Sequence, residues 1–113
     1  MKLNPFLEKV LEKLEPLGQI KSRAMFGGYG IYYKEVIFAI IVKNELYFRV
    51  DEKTRKEFEK YQSHPFVYEG KKKPIEMPYM TLPDTVFNNP GKLKTFILDA
   101  YEASLRSRFK KRK

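Results

Sequence analysis

Arg23-Ala-Met-Phe-Gly-Gly-Tyr-Gly-Ile-Tyr-Tyr33 packs three of the chain's six glycines into four positions, among residues that favour strands. Glycine inside a strand costs backbone entropy and packs nothing, so a cluster marks a bulge, a bend or a close backbone approach. A dinucleotide fingerprint would need Gly-x-Gly-x-x-Gly between a strand and a helix. A Walker loop would need Gly-Lys-Ser/Thr opening a helix. Here Gly27-Gly28-Tyr29-Gly30 is followed by more strand-forming sequence, with no helix N-terminus to offer amides and dipole. The stretch therefore reads as a bulged first strand, Ile20 to Tyr33. The competing reading is a loop whose bare backbone lets a partner approach.

The flanking sequence builds outward from that strand. Lys34-Glu35 and Lys43-Asn44 read as tight turns, the second because Asn tolerates positive φ. Between them Val36 to Val42 is apolar on both faces, so both faces need cover, one by helices and the other by more protein. Glu45 to Val50 returns as a third strand, which makes an antiparallel meander. On the N-terminal side, Asn4-Pro5 reads as a helix cap. Phe6, Leu7, Val10, Leu11 and Leu14 then recur at helical spacing until Pro16 and Gly18.

Downstream, Asp51 caps a short polar helix, Glu52 to about Tyr61. Phe66 to Glu69 and Ile75 to Leu82 read as two more strands. Pro78 cannot donate to a ladder, so its strand belongs at an edge or carries a bulge. Pro83-Asp84 opens a helical turn through Phe87. Asn89-Pro90 repeats the cap before Leu93, Phe96, Ile97, Ala100, Tyr101 and Leu105, the clearest helical stripe. The order α-βββ-α-ββ-α predicts a two-layer α+β domain, an antiparallel five-stranded sheet packed with helices. Homodimerisation would close an apolar face or edge left open.

The chain has 113 residues, 42% of them hydrophobic and 15% aromatic, enough for one domain with a real core. It has no cysteine, which fits a reducing compartment and excludes a disulfide framework. No apolar run approaches a membrane span, and Met1 to Pro5 lacks a signal-peptide pattern. The expected location is cytoplasmic, with no membrane partner. Of the net charge of +9, six positive charges lie in residues 106–113. That segment reads as a disordered basic tail after a domain spanning residues 1–105.

Chemistry is sparse. One histidine, His64, and no cysteine make no metal constellation and no triad. No catalytic, metal or cofactor residues are expected. The alternative activity is nucleic-acid binding through Lys71, Lys72, Lys73, Arg106, Arg108, Lys110, Lys111, Arg112 and Lys113. If these and Lys21 and Arg23 share a face, they form a phosphate-contacting surface.

Arg23-x-Met25-Phe26-Gly27-Gly28-Tyr29-Gly30-Ile31-Tyr32 resembles the signature of the TfoX (Sxy) N-terminal domain family. Phe38-Ala39, Glu45 to Asp51, Pro65-Phe66-x-Tyr68, Met77-x-Tyr79-x-x-Leu82-Pro83 and Asn89-Pro90-x-x-Leu93 are similar to its later motifs. The resemblance runs from about Pro5 to Leu105. It implies a two-layer α+β fold and a non-enzymatic role in transcription regulation of competence, the uptake of transforming DNA. The implied partner is the transcription machinery, since named members act with the cyclic AMP receptor protein. Those members carry a further C-terminal helical domain, so this sequence reads as a single-domain member. Arg23, Met25, Phe26, Gly27, Gly28, Tyr29 and Gly30 are the expected interaction surface.

Overall fold

The computed structural model describes residues 4–25, 27–69 and 72–111, with backbone alone for 69 and 109–111. The chain runs α1 (Pro5–Leu14), β1 (Ile20–Met25), β2 (Gly28–Tyr33), β3 (Val36–Val42), β4 (Glu45–Arg49), α2 (Arg55–Glu59), β5 (Pro65–Glu69), β6 (Pro74–Thr81), α3 (Asp84–Phe87) and α4 (Pro90–Lys111). The six strands form one antiparallel sheet in the order β1-β2-β3-β4-β6-β5. The architecture is the expected α+β, with one strand more than the sequence reading.

The extra strand comes from the glycine stretch. It is a hairpin rather than one bulged strand, with Met25 paired to Gly28 across the turn. Gly27 holds φ at +75°, a conformation that costs glycine least. Phe26 lies outside the described residues. Gly28 answers a different demand. A Cβ there would overlap the Ile41 carbonyl, so β2 can lie on β3 only without a side chain at this position.

The two later turns are as expected. Lys34 and Glu35 have φ of 50° and 69°, and Lys43 and Asn44 have 51° and 62°. Two consecutive positive φ values match the right-handed twist of the paired strands. The asparagine caps also hold. Asn4 Oδ1 accepts from the backbone N–H of Phe6 at 2.8 Å, and Asn89 Oδ1 accepts from that of Lys92 at 3.1 Å.

Of the two places open to Pro78, an edge or a bulge, the structure takes the second: its strand is interior, between β4 and β5, and the edge strand is β5. The proline is accommodated by the bulge alternative. Its pairing to β5 slips between Pro65↔Met80 and Val67↔Glu76, and the β4 ladder stops at Tyr79. The basic segment differs from the sequence reading: it is not a detached tail throughout. Helix α4 continues to Lys111, and Arg106 and Ser107 within it bond back to the sheet end, as described below. Residues 112 and 113 lie outside the described residues.

Register lines across the sheet define its faces. Ser22, Ile31, Ala39, Phe48 and Met80 lie on one line, and Arg23, Gly30, Ile40, Tyr47 and Thr81 on the next. The first line faces the helices. Its apolar members join Leu7, Val10 and Leu14 of α1, Phe58 of α2, Val86 of α3 and Leu93, Phe96 and Ile97 of α4 in the main core. A bulge at Phe38 turns both Phe38 and Ala39 to this side.

Candidate functional site: the open face of the sheet

Ile40 and Tyr47 of the second line belong to a separate apolar cluster. Ile40, Tyr47 and Tyr79 are its centre, with Ile37, Val42, Phe66 and Met77 half-buried around them. Every one of these residues comes from a strand. Helices cover the opposite face, so β3 keeps the two-sided apolar character read from its sequence while only one side has a helical layer. Tyr68 and Ile75, paired at the far end of the β5–β6 hairpin, extend this surface and are exposed. Val67, on the hairpin's other side, is exposed as well.

Polar groups sit at two places on this face. Near the β3–β4 turn, Tyr47 Oη donates to Glu45 Oε1 at 2.7 Å, and His64 Nε2 is 3.9 Å from the same oxygen. Burial and the neighbouring Glu45 carboxylate push the Tyr47 phenol up to about 12, so it stays protonated. A cleft of about 300 Å³ lies here, lined by Val42, Tyr47, His64, Phe66 and Val67. Such a phenol is neither a base nor a nucleophile at neutral pH.

At the other end, Arg49 Nη2 donates to Ser107 Oγ at 2.6 Å, and its guanidinium carbon lies 5.6 Å from the Tyr79 ring centre. Burial raises the Tyr79 pKa, and the adjacent Arg49 opposes that rise. Arg23 stands 5.7 Å over the ring of Tyr32. Behind this corner, Arg106 Nε donates to Asp51 Oδ2 at 2.6 Å. Through that bond Arg106 holds the Asp51 carboxyl at about 2.

The expected interaction residues separate in space. Arg23, Met25 and Gly30 look onto the open face; a Cβ on Gly30 would lie 2.7 Å from Met25 Sδ. Tyr29 packs instead against the helix-side core. Gly27 and Gly28 shape the turn, and Phe26 is outside the described residues. The expected nucleic-acid contacts separate too. Lys72 and Lys73 lie at the β5–β6 turn, Arg106 is taken by Asp51, and Arg108 is exposed on α4. Lys110 and Lys111 are described as helical backbone; Lys71, Arg112 and Lys113 are outside the described residues.

Sequence reading missed Arg49, Tyr79 and Ile37 as members of one surface. The available signal was a strand with apolar residues at every position, which left its second face without cover. Among the described residues, no cluster of three or more His, Cys, Asp or Glu is placed to hold a metal ion. No described helix is long and apolar enough to cross a membrane.

The amino-acid sequence that folds this way matches a known family. The TfoX N-terminal domain description fits residues 12–104. The chain belongs to the TfoX N-terminal domain family. It is 26% identical over 107 residues to the DNA transformation protein TfoX1 of Aliivibrio fischeri, covering 94% of this chain and 51% of that protein. It is 25% identical over 100 residues to protein Sxy of Escherichia coli K12, covering 88% of this chain and 48% of that one. The chain thus spans about half the length of the curated relatives it matches. The TfoX N-terminal domain signature therefore coincides with a structural hairpin, and only part of it reaches the open face.

Proposed function

We propose that this TfoX N-terminal domain is a non-enzymatic regulatory module that works by docking another protein on the open face of its sheet. The observation that carries the reading is the second apolar cluster, built from strands alone. Interfaces that bind proteins combine an apolar, aromatic centre with arginine and a polar rim. Ile37, Ile40, Phe66, Met77 and Tyr79 supply the centre, and Arg23, Arg49 and Glu45 the rim. The relative named a DNA transformation protein supplies the setting, DNA transformation.

The test is genetic. Deleting the gene in its own organism lowers the frequency of DNA uptake. An allele carrying Ile37→Ser and Tyr68→Ser reproduces the deletion while the purified variant keeps its thermal midpoint within a few degrees. Normal uptake in the deletion strain would end the reading.

A further inference from the structure

Two arginines of this face, Arg23 and Arg49, form no direct ion pair among the described residues. Among the described residues, Arg55 is paired with Glu59 and Glu76, Arg106 with Asp51, and Lys21 with Glu35. Neither Arg23 nor Arg49 has a carboxylate within ion-pair distance among those residues. Arg49 is the more telling of the two. Its Nε is buried and has no hydrogen-bond acceptor among the described residues, and Nη2 has only the neutral Ser107 hydroxyl. A guanidinium with a buried, unbonded Nε and no counter-charge is costly to maintain. A carboxylate brought to its outer edge would form charge-assisted bonds in the planar geometry arginine favours.

The surroundings select the carrier of that charge. Arg49 lies on the same face as Tyr32, Ile37 and Tyr79, since Tyr32 pairs with Ile37 and Arg49 pairs with Tyr79. Lysines that would track a phosphate backbone are not beside it: Lys72 and Lys73 lie at the hairpin turn, and Lys21 is held by Glu35. The two central tyrosines offer little ring face to bases, because Tyr47 and Tyr79 are each only 7% exposed, and the exposed Tyr68 stands at the far end of the β5–β6 hairpin. A second copy of this chain would bring the same unpaired cations to a two-fold contact. The fitting occupant is acidic and apolar together.

We infer that Arg49, assisted by Arg23, receives an aspartate or glutamate side chain of a partner protein, presented among apolar residues that lie on Ile37, Met77 and Phe66. This deepens the docking reading and rests on it. Arg49 then acts as the specificity residue of the face, since a partner without the carboxylate leaves the guanidinium uncompensated.

A random 12-residue peptide library displayed on phage and selected on the full chain tests it. The expected winners carry one Asp or Glu within a run of apolar residues. Replacing that acid by its amide weakens the synthetic peptide by about 30-fold. Arg49→Met weakens it by a similar factor, and Arg108→Met leaves it unchanged. The amide swap leaves the protein untouched, so the result stands even if Arg49→Met unfolds. Winners that bind in an Ile37-dependent way but need no acid would overturn the carboxylate while leaving the docking face intact. Failure to select any peptide sensitive to Ile37→Ser would remove both. Arg49-dependent binding of a single-stranded DNA oligonucleotide, stronger than that of any peptide, would also overturn it.

Discussion

The two faces of the sheet are built from the same strands yet obey different rules. On the helix side, Ile31, Phe38, Ala39 and Phe48 are completely buried and locked by rings such as the Phe38–Phe48 pair, 5.4 Å between centres at 84°. Close packing there converts any lost volume into lost stability. On the open side, Ile37, Phe66 and Met77 are half-buried, and the polar groups are bonded to one another or left waiting. One face is closed by helices; the other carries half-buried apolar residues with no helical layer over them. Apolar β3 residues alternate between these two duties, which is why its sequence looks like that of a fully enclosed strand.

The contrast can be broken most sharply by truncating each face in turn. Phe48→Ala should cost about 3–5 kcal/mol in urea unfolding, whereas Met77→Ala on the open face should cost less than about 1 kcal/mol. Equal losses would show that the open face is a second core. Gly28→Ala tests the contact beneath both faces. The added methyl meets the Ile41 carbonyl, and the expected loss is about 1–3 kcal/mol, read as a lower thermal midpoint. No change would mean that β2 and β3 separate more easily than their register suggests.

The smallest effect concerns the clamp of α4 on the sheet end. Asp51 is held at about 2 by its bond to Arg106, below its ordinary range. A depressed acid stabilises the fold above its unfolded pKa, about 4, and this contribution is lost as pH falls towards 2. Both partners are partly solvated, so the expected magnitude is on the order of 1 kcal/mol. Asp51→Asn should flatten the acid limb of stability against pH. An unchanged limb would place acid sensitivity elsewhere.

Much of this was legible from local chemistry. The asparagine caps, the Lys34-Glu35 and Lys43-Asn44 turns and the stripe of α4 are set by a few neighbouring residues. The hairpin at Gly27 was misread as a bulge because two glycines inside a strand-like run satisfy either geometry locally. Only pairing decides between them, and pairing is non-local. Arg49 was invisible for the same reason: its lack of a counter-charge depends on where Glu59, Glu76 and Asp51 settle, and all three are claimed by other arginines. Arg106 was grouped with a free tail because sequence shows its charge and not the Asp51 that binds it.

By itself, the sequence determined the family, the alternating elements and the demand that both faces of β3 be apolar. Periodicity and turn chemistry act over a few residues and leave a direct trace in the chain. The tertiary structure decided which face the helices cover, which strand takes the edge and which cations go unpaired. Those outcomes depend on competition among groups far apart in sequence, and they are what make one side of this sheet a helix-covered core and leave the other without a helical layer.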